Sequence, residues 1–119
     1  MLINTAMLIV NPCDDEYDDM ALFCCHSDSG ELFSLTRFPD ENQVEITVRD
    51  DKTLTLKNLK VTLSAERVLV ELDPADAKQL DGQTEYEIRH DTPASELRDV
   101  QETLQIILED VGTYVSEIE

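Results

Sequence analysis

All three cysteines, one of the two histidines and six of the acidic residues fall within residues 11–30, "NPCDDEYDDMALFCCHSDSG". Thiolate, imidazole and carboxylate are the donors of zinc, calcium and redox sites, so metal and redox chemistry are the first possibilities to weigh. A structural zinc site needs four such ligands at spacings that let them converge. Cys24, Cys25 and His26 are instead consecutive. On a strand, neighbouring side chains leave opposite faces, so Cys25 is separated from Cys24 and His26. A vicinal Cys24–Cys25 disulfide would require a strained turn inside a strand pattern. The simpler expectation puts Phe23 and Cys25 on the core side, with cysteine acting as a small hydrophobe.

The run "DDEYDD" (14–19) raises calcium, but it has neither the central glycine nor the closing glutamate of a calcium-binding helix–loop–helix. Two readings stand for Asp14, Asp15, Glu16, Tyr17, Asp18 and Asp19: a solvated loop, or a contact loop offering carboxylates to the lysines and arginines of a partner. Tyr17 suits an interface anchor in the second reading. For catalysis the signals are sparse. His26 and His90 lie in no nucleophile or metal motif, and no Gly-rich phosphate loop, G-x-S-x-G or H-E-x-x-H is present. A hydrolase built on carboxylates alone would leave no signature among 27 acidic residues. The expectation is no enzyme, no cofactor and no metal.

Charge limits the partners. Twenty-seven acidic and nine basic residues give a formal charge of −18. That field repels nucleic acid and anionic membranes and attracts cationic surfaces. Solubility or adaptation to a salty cytoplasm accounts for the same excess equally well, particularly with only four lysines. No run approaches the ~18 apolar residues of a membrane helix. "MLINTAMLIV" carries no positive charge and is short for a signal peptide. Three unframed cysteines fit a reducing compartment, so a cytoplasmic protein is expected.

These residues must be held by a fold, and the chain has the means for one. Leu, Ile, Val and Phe number 34 of 119, well above the roughly one-fifth at which disorder is the default. A single domain is expected over 1–119. Period-two patterning predicts strands over 2–10, 20–27, 31–38, 43–50, 53–58, 59–64 and 67–72. "SDSG" makes a hairpin of the second and third. "RVLVEL" is the most apolar run and the candidate central strand. Asp73 as N-cap, then Pro74 and Asp76, predict a short helix over 74–80. Alternation returns over 83–90. Thr92-Pro93 repeats the cap-plus-proline signal before the clearest stripe in the chain: Leu97, Val100, Leu104, Ile107, Leu108, Val111, Tyr114, Val115 and Ile118. The last helix is expected over 94–111 or beyond, with Gly112 as a possible stop. The fold class is α+β: a mainly antiparallel sheet with one short helix and a long C-terminal amphipathic helix packed on it.

The order strand, short acidic helix opening with proline, strand and closing helix in "RVLVELDPADAKQL", "TEYEIRH" and "ELRDVQETLQIIL" resembles the bacterial immunity protein 10 family, predicted antidotes of polymorphic toxin systems. The resemblance covers roughly residues 66 to 108 and extends loosely to "DDMALFCCHSDSGELFSL". It implies a non-enzymatic protein that binds and occludes a cognate toxin. Many such toxins act on nucleic acids and carry basic clefts, which an acidic protein can fill. It assigns no functional residues. A monomer or a homodimer is compatible with it. The alternative from another class is an assembly protein that homodimerises through its C-terminal helix.

Overall fold

The computed structural model describes residues 2–5, 8–14, 19–48, 52–80 and 82–117, with the backbone alone for residues 13 and 14. Ten strands and two helices follow in the order β1 (Leu2–Asn4), β2 (Ile9–Asp14), β3 (Met20–His26), β4 (Leu32–Arg37), β5 (Val44–Val48), β6 (Lys52–Leu56), β7 (Leu59–Leu63), β8 (Arg67–Leu72), α1 (Pro74–Ala77), β9 (Glu85–Arg89), α2 (Ala94–Leu108) and β10 (Thr113–Ser116). They form two five-stranded sheets, ordered β1-β9-β8-β7-β10 and β2-β3-β4-β5-β6. The α+β class and mostly antiparallel pairing are as the patterning requires. "RVLVEL" is the middle strand of its sheet. Only the two outer strands of that sheet, β1 and β10, pair in parallel.

Cross-strand register explains why the alternating residues sit where they do. In the second sheet the row Val10–Phe23–Leu35–Ile46–Leu54 crosses all five strands. In the first, Ile3–Ile88–Val68–Leu63 and Tyr86–Val70–Val61–Tyr114 do the same work. Directly opposed residues share a face, so these rows are the two inner faces. They belong to one continuous core with the buried side of α2: Leu97, Val100, Leu104, Ile107 and Leu108. Phe33 and Tyr86 join the sheets, ring centroids 5.3 Å apart and tilted by 46°. A tilted pair of this kind adds about 0.5–1.5 kcal/mol beyond the area it buries.

Three expectations are corrected. Residues 2–10 are not one strand: β1 and β2 lie in different sheets. The phase of the apolar residues changes between them, from Ile3 to Leu8 and Val10, so an unbroken strand would turn one set to solvent. Neither helix is capped by its expected side chain. Asp73 stands at the N-cap of α1 without a capping bond, and its carboxylate accepts from Asn58 Nδ2 at 3.2 Å. Thr92 bonds His90 and leaves Pro93 at the cap of α2.

The largest difference is at the C-terminus. The helix ends at Leu108, and Tyr114 and Val115 belong to a strand that pairs with β7. Val111 lies in the turn, and Ile118 is outside the described residues. Two contacts make this turn. Asp110 adopts a left-handed φ of 59°, a conformation aspartate tolerates better than most residues. A Cβ on Gly112 would collide with the Leu59 carbonyl oxygen and lie 3.2 Å from a Leu108 methyl. Glycine is what lets β10 reach β7. Gly112→Ala is therefore expected to lower stability by about 1–3 kcal/mol in denaturant titration, the scale of overpacking that forces a backbone shift. An unchanged midpoint would contradict the close approach.

Candidate functional site: the acidic cleft at the end of α2

The amphipathic α2 turns Leu97, Val100, Leu104, Ile107 and Leu108 inward and leaves Glu96, Asp99, Glu102 and Glu109 on its wet side. Its nearest strands are β2, β3, β4 and β10. At the last turn of the helix a cleft of about 350 Å³ opens toward Pro12 of β2, Asp19 just before β3 and the end of β4. Pro12, Asp19, Arg37, Pro39, Ile106 and Glu109 line it.

Of the residues proposed from the sequence, Asp14 ends β2 and pairs with Met20. Asp15, Glu16, Tyr17 and Asp18 lie outside the described residues. Asp19 closes the turn, exposed and left-handed with φ 62°. The structure brings Asp19 to the same cleft as Glu109, 90 positions away in sequence. Beside them is Ile106, 37% exposed and one of three large apolar residues so exposed among the described residues. Two carboxylates around an exposed apolar side chain suit a partner that is both cationic and apolar, because a lysine or arginine stem packs on apolar surface while its head meets the carboxylates.

Arg37 holds this arrangement and was not singled out from the sequence. Its Nη1 donates to the carbonyl oxygens of Ile106 and Ile107, both at 3.2 Å, and to that of Glu109. Its Nε donates to the Glu41 carbonyl at 3.1 Å. The last carbonyls of a helix have no intrahelical donor, and the dipole there favours a cation. Arg37 answers both needs and ties α2 to β4. One signal was legible: it is the only basic residue before position 49.

A second cleft of about 260 Å³ lies toward the other end of α2, where Ile9 and Val100 face Glu96 and Asp99. A wider opening, about 570 Å³, is at the β7–β8 turn and includes Arg67 and Arg89. These arginines oppose each other across β8 and β9, and both reach Glu87, at 3.6 and 2.9 Å. Their charge is matched locally. Exposed pairs of this type stabilise by only about 0–1 kcal/mol.

The cysteines separate as strand geometry demands. Cys25 is fully buried on the inner face, and its thiol is pushed up to about 12, first by burial and then by Cys24 beside it. Cys24 lies on the opposite face, also buried, with its thiol raised by burial. Both are free thiols in the protonated form, unsuited to nucleophilic or ligand roles. Among the described residues no group of three His, Cys, Asp or Glu side chains is placed to hold a metal ion. His26 is exposed on the second sheet, whereas His90 is buried at the end of β9.

Compared with protein-family profiles, with curated proteins and with solved structures, the chain matches none.

Two outcomes follow from this geometry. Arg37→Ala leaves the helix carbonyls without their donor, and hydrogen bonds to a charged group contribute about 1.5–3 kcal/mol. A loss of that order is expected in denaturant titration, with Arg37→Lys recovering part of it. Equal losses in the two variants would remove the role of the guanidinium. His90 supplies a pH dependence. Burial lowers its proton affinity below the ordinary value of 6.5, partly offset by the backbone of Ser64 and Arg67 and by Asp91 and Glu66. Its Nδ1 meets Thr92 Oγ1 at 2.9 Å. The neutral ring is thus the form the fold prefers. Its contribution is complete above the unfolded value and is lost as pH falls through the folded one. Melting temperature should drop on acidification from neutral pH, above the carboxylate range, and His90→Gln should flatten that slope. Identical slopes in the two proteins would show that another group titrates.

Proposed function

We propose that this chain is a non-catalytic binding protein that neutralises a cationic partner by covering its basic surface, as an immunity protein covers a toxin. The observation that carries the reading is the cleft in which Asp19 and Glu109 flank the exposed Ile106. The formal charge of −18 supports it, because such a field accelerates association with a basic surface and steers its orientation. The resemblance of residues 66 to 108 to immunity proteins gives the partner its class: a bacterial toxin with a basic cleft, of the kind that acts on nucleic acid. In this reading Asp19 and the last turn of α2 form one contact surface, and the toxin is blocked by occlusion.

We favour this reading over homodimerisation through the C-terminal helix. Leu97, Val100, Leu104, Ile107 and Leu108 are already buried in the core, so the stripe is not available to a second chain.

The test is co-expression with the secreted-toxin-like product of a neighbouring reading frame, if one is present, followed by binding of the purified pair. Growth should be rescued by the wild-type chain. Affinity should fall several-fold as salt rises and screens the charges. Asp19→Asn and Glu109→Gln together should slow association with little effect on melting. Asparagine is chosen because it also tolerates the left-handed conformation at position 19. A complex indifferent to salt and to both substitutions would overturn the reading.

A further inference from the structure

Two sheets have four edge strands, and an unguarded edge is a template for pairing with another chain. Three of the four are obstructed here. The Asn4 carbonyl of β1 accepts from the Asp28 amide at 2.9 Å, so the β3–β4 turn covers that edge. β2 carries Pro12 and a register break between Asn11 and Asp14. Proline and irregularity are the devices by which edges are protected. β10 lies beside α2, tied to it by Ser116 Oγ and Tyr114 Oη, which donate to Gln101 Oε1 at 2.7 and 3.3 Å.

β6 is different. Its five residues pair with β5 without interruption, and it contains no proline. Among the described residues no hydrogen bond reaches its outer side. Thr53 and Thr55 are exposed and Leu54 is half-buried, so its middle carries no charge. We propose that the edge of β6 is the seam of a homodimer, in which two copies pair antiparallel and join their second sheets into one of ten strands.

Self-complementarity identifies the occupant as a second copy. With a two-fold axis at Leu54, leucine opposes leucine, and each Thr53 opposes the second copy's Thr55. Threonine pairs stabilise antiparallel seams. The neighbouring seam already contains one, with the Thr47 and Thr53 hydroxyls 3.2 Å apart. An interface of this kind places the same patch on both subunits, as two-fold symmetry demands. Lys52 opens the strand and Lys57 follows it, with Asp50 and Asp51 just before, so charge stands only at the two ends of the seam and the Thr53–Leu54–Thr55 centre is neutral.

The repulsion between copies gives the dimer a distinctive sign. Salt screens two like-charged copies from each other, so their association strengthens as salt rises. A complex with a cationic partner responds in the opposite direction, and the two associations fail independently. Sedimentation equilibrium over a range of protein and salt concentrations should show a monomer–dimer equilibrium shifting toward dimer with both. Thr55→Lys, the guard that natural edges use, should give a monomer with unchanged melting. Thr53→Lys repeats the block at the other exposed position should the first variant melt early. Thr113→Lys places the same charge on β10 and should leave the dimer intact. A wild-type chain that stays monomeric at every concentration and salt, a dimer that persists in both β6 variants, or one lost equally in Thr113→Lys would each overturn the seam.

Discussion

Everything in this molecule depends on one apolar interior that two sheets and a helix must share. The two sheets meet where Phe33 packs against Tyr86, within one buried cluster. The remaining space is filled by one side of α2. Each buried Leu, Ile, Val or Phe contributes on the order of 1.5–3 kcal/mol. No sheet here could hold its form without the other, because each is amphipathic across its two faces. The chain accordingly crosses between sheets twice before α2: once between β1 and β2, and once through Lys57 and Asn58 from β6 to β7. It is this shared interior that sets α2 against β2, β3 and β4, and therefore sets Glu109 and Ile106 beside the turn at Asp19.

The individual strands were legible because one face of each is wet. "QVEITV" alternates a polar and an apolar residue at every step, and the structure buries Val44, Ile46 and Val48 as that pattern demands. The division into two sheets was not legible, because period two identifies a buried face without saying what buries it. The end of α2 misled for a related reason. Val111, Tyr114 and Val115 continue a spacing of three and four, yet a strand entering the same core also buries apolar residues there. The stop depends on the close approach of Gly112 to the Leu59 carbonyl oxygen, a contact between residues 53 positions apart. In local sequence, Gly112 is only one more glycine.

The candidate site divides in the same way. A run of carboxylates marks the loop at 14–19 as surface, and charge alone suggests a cationic partner. What gives Asp19 its neighbours is tertiary: the exposure of Ile106, the placement of Glu109 and the reach of Arg37 to three carbonyls. Ile106 was absent from the apolar stripe, since it sits between inward positions. Its exposure was therefore implicit in the pattern but its company was not. Arg37 illustrates the limit more sharply. A lone arginine ending a strand looks like a solvated charge until the helix terminus that it caps is in view.

An acidic surface and an open edge are both answers to the question of what this protein is allowed to touch. Net charge of one sign keeps copies apart at distance, over a screening length of about 8 Å at physiological salt. It leaves contact chemistry undetermined inside that range. There, hydrogen bonding and side-chain packing decide, and they differ between the two surfaces. At the α2 cleft, Asp19 and Glu109 stand beside the exposed Ile106, with the Arg37 guanidinium turned to the helix carbonyls, and the proposed partner there is cationic. At β6 the Thr53–Leu54–Thr55 centre carries no charge, so backbone pairing and side-chain packing weigh more there than the field of the whole chain. The two surfaces lie on different elements, one at the end of α2 and the other at the far edge of the second sheet. A two-fold partner at β6 would pair backbone with backbone and leave the carboxylates of the α2 cleft to a partner of opposite charge.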